Sequence, residues 1–202
     1  MSFFQNTCKP KGWGGKFMVK SMNKGHAAMA EWGFQHLQVQ PTDCCLDVGC
    51  GGGANVKRLL SMTPGGVVKA VDYSEVSVQA TTELNQRAIQ EGRCVVLQGN
   101  VMDLLFARDC FDVVTAFETI YFWPDLTKAF QEVCRVLKDD GVFMICNEAD
   151  GKNPKDEKWV KKIDGMRIYD EEQLRSILMQ AGFTRVEIDT NDKHWLCAIA
   201  RK

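Results

Sequence analysis

Four glycines fall within five residues in the segment Asp47-Val48-Gly49-Cys50-Gly51-Gly52-Gly53-Ala54. The segment directly follows a short apolar run and directly precedes a helical stretch. A bend from strand to helix needs backbone angles that a Cβ disfavours. A bare main chain also lets a ligand come close to the positive end of the following helix. Gly49, Gly51 and Ala54 satisfy G-x-G-x-x-A, the dinucleotide fingerprint, so this motif alone leaves the ligand open. Asp47 narrows the choice, because a carboxylate at the strand end repels a pyrophosphate and suits a cationic amino group. Asp72 ends a second apolar run, 19 residues after Gly53. A carboxylate there can accept both hydroxyls of a ribose, which the spacing favours over the alternative that Asp72 or Ser74 simply caps the helix that follows.

Further groups follow the next two apolar runs. In Gly99-Asn100-Val101-Met102-Asp103, Asn100 can pair with the edge of a base and Val101 can pack on its ring. The run Phe117-Glu118-Thr119-Ile120-Tyr121-Phe122-Trp123 should lie where ligands sit in an open α/β sheet, beyond the strand C-termini. Its aromatics could line a substrate pocket or pack under the next helix. Candidate proton acceptors are His26, Glu118, Tyr121, Glu148 and Tyr169. The histidines, His26, His36 and His194, are far apart and have no ligand spacing, so no metal is expected.

These residues need elements to hold them. CCLDV (44–48), VVKAVD (67–72), CVVLQGN (94–100), FDVVTAF (111–117) and GVFMICNEA (141–149) read as strands. Helical stretches lie between them at 54–62, 75–91 and 125–137, and 27–38 precedes them. Nearly continuous apolar strands alternating with helices indicate a parallel sheet covered on both faces, the doubly wound α/β class. An amphipathic helix at 169–183 then leads into TRVEID (184–189) and WLCAIA (195–200). The five residues between these two cannot hold a crossover helix, so the pair must be an antiparallel hairpin.

The 202 residues fit one domain: an arm over 1–26 and a core over 27–202. The arm carries Lys9, Lys11, Lys16, Lys20 and Lys24 with no acid. Hydrophobic residues at 45% and charged residues at 25% describe an ordinary globular chain. A net charge of −1 gives no pull toward nucleic acid or an anionic membrane. No signal segment or spanning stretch is seen, and most of the nine cysteines sit inside apolar runs without paired spacing. A reducing, cytoplasmic location is therefore expected, with no disulfide framework.

Taken in order, CCLDVGCGGGANVKRLL, VKAVDYSEVSV, VLQGNVMDLLF, FDVVTAFETIYFWPD with AFQEVCRVLKDDG, and IYDEEQLRSILMQAGF resemble the class I S-adenosylmethionine-dependent methyltransferases. The likeness is to the small single-domain type that acts on metabolites, and it covers roughly residues 25–200. It implies a Rossmann-like sheet of seven strands, mostly parallel with the last antiparallel. It implies S-adenosylmethionine as cofactor, adenosylhomocysteine as product, and a small-molecule acceptor. By the same resemblance Asp47, Gly49, Cys50 and Gly51 surround the methionine part. Asp72 takes the ribose hydroxyls, Tyr73, Asn100 and Val101 contact adenine, and Phe117 lies along the cofactor. The stretch MNKGHAAMAEWG resembles a cofactor-covering helix through Asn23, Gly25 and His26. Other readings stay open: an RNA or protein methyltransferase, a non-catalytic adenosylmethionine-binding module, or an NAD-dependent oxidoreductase.

Overall fold

The computed structural model describes residues 25–202, so residues 1–24, with the five lysines of the arm and Asn23, lie outside the described residues. The elements are α1 (Ala27–Phe34), β1 (Cys44–Val48), α2 (Ala54–Met62), β2 (Val67–Asp72), α3 (Glu75–Leu84), α4 (Gln86–Gln90) and β3 (Cys94–Gln98). After these come β4 (Phe111–Phe117), α5 (Leu126–Val136), β5 (Leu137–Asn147), α6 (Glu157–Lys162), α7 (Glu171–Ala181), β6 (Arg185–Thr190) and β7 (Leu196–Arg201). The seven strands form one sheet in the order β3-β2-β1-β4-β5-β7-β6. β1 to β5 pair in parallel, and β7 runs antiparallel to both β5 and β6. This is the mostly parallel, Rossmann-like sheet with an antiparallel last strand expected from the sequence.

Burial on both faces explains the strands' apolar character. In β5, Phe143 and Ile145 face one buried cluster, and Val142, Met144 and Cys146 face the other. The first cluster is roofed by α5 and α7, the second by α1 and α2. α5 buries Leu126, Ala129, Phe130, Val133 and Val136, a stripe at helical spacing. Its first turn is closed by Asp125, which accepts from Lys128 N–H at 2.9 Å. α7 opens with a reciprocal capping box between Asp170 and Gln173 and stops at Gly182.

Two local features depart from the sequence reading. The helix expected over 75–91 breaks at Asn85, whose buried side chain donates to Thr81 O at 2.9 Å and Gly53 O at 3.2 Å. Those bonds pin the helix to the glycine segment at the expense of its own continuity. The fifth strand starts at Leu137 rather than 141. Its pairing with β4 skips from Leu137 to Val142, and Asp140 takes a φ of 62° in the irregular turn between them. Among the described residues no helix is long and apolar enough to cross a membrane.

Candidate functional site

The strand order reverses between β1 and β4. At that switch point the C-terminal ends of β1, β2 and β4 open onto a cavity of about 820 Å³. Its floor is the glycine bend. At Gly49 (φ 76°) an added Cβ would collide with the Thr119 side chain, so this glycine serves the packing of two loops. At Gly51 (φ 52°) an added Cβ would meet nothing within 4 Å. That second position is bare where the main chain faces the cavity, which is the cradle expected for closely held ligand atoms.

Asp72 does more than the sequence shows. Its Oδ2 accepts Gly51 N–H at 3.0 Å and its Oδ1 accepts Ser74 N–H at 2.8 Å, while the Ser77 side chain also bonds the carboxylate. It therefore ties the glycine bend to the end of β2 and still lines the cavity. Burial pushes its pKa up, against the lowering effect of those donors. Tyr73, Asn100, Val101 and Phe117 line the same space, as do Gly49, Cys50 and Gly51. Asn100 Oδ1 accepts from Met102 N–H at 3.0 Å, which fixes the amide in its turn.

Asp47 lies beneath the bend and is not among the residues that line the cavity. It is 2% exposed and accepts from Thr115 Oγ1 at 2.7 Å. Burial pushes its pKa up to about 7, with Thr115 opposing and the charge of Asp72 adding to the rise.

Beyond Phe117 the chain turns sharply at Glu118, which holds a φ of 56° and donates its N–H to Cys146 O at 3.0 Å. Glu118 Oε1 accepts from Tyr121 Oη at 3.0 Å and from the backbone N–H of Glu148. Tyr121 Oη also accepts Ala149 N–H at 3.1 Å. Tyr121 is thus a buried strut between the β4 and β5 ends, and it does not line the cavity. Burial lifts Glu118 to about 7, opposed by His26. His26, directly before α1, stands 3.1 Å from Glu148 Oε1 and 3.8 Å from Glu118 Oε2. Burial lowers the His26 pKa, but the two carboxylates outweigh it and the net shift is upward. Tyr169 packs against the opposite face of the sheet, away from this cluster.

α1 forms one wall of the cavity through His26, Ala27, Ala30 and Glu31. Arg58 holds it to α2 by an ion pair with Glu31 (Nη2 to Oε1 3.0 Å) and lies 5.0 Å over the Phe34 ring. The far wall is Thr119, Phe122, Trp123 and Pro124.

Sequence spacing brought out the glycine bend and Asp72. It had no signal for Thr119 as the bend's packing partner or for Tyr121 as a strut, because both contacts join segments remote in the chain.

Residues 46–145 match the family model described as a methyltransferase domain. The chain is 28% identical over 187 residues to the sterol 24-C-methyltransferase of Yarrowia lipolytica, covering 85% of this chain and 49% of that protein. It is 30% identical over 139 residues to the cycloartenol-C-24-methyltransferase of Arabidopsis thaliana, covering 65% and 41%. The chain spans about half the length, or less, of these curated relatives. The crystal structure of a SAM dependent methyltransferase from Aquifex aeolicus superposes with a TM-score of 0.76 at 21% identity, covering 92% of this chain and 97% of that one. Residues 46–145 thus belong to the methyltransferase-domain family, and the strand order and the glycine bend at the switch point give the chain the fold of the class I S-adenosylmethionine-dependent methyltransferases.

Proposed function

We propose that this chain moves a methyl group from S-adenosylmethionine to a small-molecule acceptor. One observation carries the reading: the ends of β1, β2 and β4 and the turn after β3 bring the bare Gly51 backbone, Asp72, Asn100, Val101 and Phe117 to one cavity. In this reading Asp72 accepts the ribose hydroxyls, and Tyr73 and Val101 hold the adenine ring, with Asn100 at its edge. Gly49, Cys50 and Gly51 enclose the methionine part. Asp47 acts from beneath as a negative charge that favours its amino group.

The cofactor supplies an electrophilic methyl group on a sulfonium. The chain has to exclude water and hold the acceptor in line, a service worth roughly 7–11 kcal/mol of barrier. Thr119, Phe122 and Trp123 form the wall against which the acceptor rests, with Glu118 and His26 beside it. The relatives named for sterols are matched over half of their length or less, and the acceptor class supported for this chain is the broader one, a small molecule. The near-neutral net charge gives no support to a nucleic-acid substrate. We place the enzyme in the cytoplasm, in keeping with the free thiols of its eight described cysteines.

Calorimetric titration tests the reading. Adenosylhomocysteine should bind one per chain and raise the melting temperature, and NAD should do neither. Binding of NAD in its place would favour the oxidoreductase reading. A screen of small hydroxyl, amine and thiol acceptors for adenosylhomocysteine release then separates an enzyme from a binding module.

A further inference from the structure

His26, Glu118 and Glu148 are separated by 92 and 30 residues in the chain and meet at one point beside the cavity. We propose that these three side chains form a binding site for one divalent metal ion. They arrive from three elements: the residue before α1, the end of β4 and the end of β5. One ligand atom from each lies within 4.8 Å of the others. Two atoms bound to a single ion at about 2.1 Å stand about 3.0 Å apart at a right angle and at most about 4.2 Å apart. The His26 Nδ1 separations of 3.1 Å and 3.8 Å fall inside that range.

Two features point to a ligand rather than a closed ion pair. His26 Nδ1 is shielded from solvent and faces both carboxylates at once, Glu148 Oε1 at 3.1 Å and Glu118 Oε2 at 3.8 Å. Glu118 Oε1 is fully engaged by Tyr121 Oη at 3.0 Å and by Glu148 N–H, which leaves Oε2 turned toward the imidazole. Outer partners of this kind commonly fix a metal-binding carboxylate in its orientation. One imidazole nitrogen and two carboxylate oxygens suit Mn²⁺, Fe²⁺, Co²⁺ or Zn²⁺. Three protein ligands leave coordination positions free. His26 and Glu118 line the cavity, so an ion held between them would lie at its edge. There an acceptor hydroxyl could bind the ion and lose its proton more readily. This last role rests on the methyl-transfer reading, whereas the ion site itself does not.

The test uses the full chain, stripped with a chelator and titrated with Mn²⁺ alone, followed by calorimetry and by the loss of the free-ion electron paramagnetic resonance signal. Mn²⁺ is chosen because thiolates favour softer ions, so the cysteines do not compete. One Mn²⁺ per chain is expected, with affinity weakened by roughly tenfold or more in Glu148→Gln and in His26→Gln. Glu148 is more than a third exposed, so its amide variant spares the core. Adenosylhomocysteine titration of each variant reports that the fold and cofactor cavity persist. If the wild type takes up no Mn²⁺ at millimolar concentration, the triad is an imidazole–carboxylate ion pair and the proposal falls. It falls equally if both variants bind Mn²⁺ as tightly as the wild type, because the ion then sits elsewhere. Mn²⁺ uptake without adenosylhomocysteine binding would overturn the cofactor reading and leave the ion site standing.

Discussion

Replacing Asp72 with Asn keeps the side chain's shape and removes its charge. The carboxylate receives Ser74 N–H on one oxygen and Gly51 N–H on the other. The Ser77 hydroxyl and the Tyr73 N–H occupy the remaining lone pairs, so a ligand hydroxyl binds here by displacing the Ser77 hydroxyl, which is free to rotate away. Two ribose hydroxyls bonded to a charged acceptor contribute about 1.5–3 kcal/mol each, and Asn keeps one weaker, neutral bond. After the exchange with Ser77, the net loss is about 2–4 kcal/mol, a weakening of roughly 30- to 700-fold. The amide also turns an N–H toward either Gly51 or Ser74, which loosens the bend. Thr81→Val separates that effect, because Thr81 Oγ1 donates to Gly51 O at 3.0 Å and does not line the cavity. It should weaken binding by about 1 kcal/mol or less. The assay is calorimetric titration of adenosylhomocysteine into wild type and both variants, with melting curves as a check on folding. An Asp72→Asn affinity within threefold of wild type, or no worse than that of Thr81→Val, would refute the ribose assignment.

Other substitutions probe the remaining parts. The raised Asp47 pKa means that the folded, ligand-free protein binds a proton that the unfolded chain has released between the ordinary carboxylate range and about pH 7. Its stabilising share is complete in acid and lost as pH rises through 7. Asp47→Asn should therefore raise the melting temperature of the free protein at pH 8, keep its bond from Thr115, and bind adenosylhomocysteine more weakly. A melting temperature that is unchanged or lower would contradict the buried-charge account. Tyr121→Phe strands the buried N–H of Ala149 and removes a donor from Glu118. A loss of about 1–3 kcal/mol in urea unfolding is expected, and a loss under 0.5 kcal/mol, the ordinary range for surface changes, would show that the strut is dispensable. Gly51→Val should cost about 1–3 kcal/mol of stability through its positive φ and abolish ligand binding, since the new side chain enters the cavity. Retained affinity would mean that the bend never touches the ligand.

What was legible in the sequence is what local spacing encodes. The β1–α2 bend needs its glycines within a few residues of one another, and Asp72 marks the end of β2 at a set distance beyond them. Burial on both faces makes β1, β2, β4 and β5 visible as apolar runs, and the short polar link 190–194 forces the β6–β7 hairpin. Long-range contacts leave no such trace. Asn85 breaks its helix because its amide is bonded to Gly53, 32 residues away. Asp47 reads as a ligand contact from its position before the glycines, but strand alternation turns it under the bend toward Thr115 of the neighbouring strand. His26, Glu118 and Glu148 show no ligand spacing because three separate elements bring them together. Tyr121 stands in a run of aromatics that spacing alone cannot sort into wall and strut.

A crystal structure of the chain grown with adenosylhomocysteine bears most directly on the whole account. It should show the ribose hydroxyls on Asp72, the amino-acid part over Gly49–Gly51, and the sulfur directed at the space between Phe117 and the Thr119–Trp123 wall. A ligand seated elsewhere, or a clear cavity at saturating concentration, would contradict it.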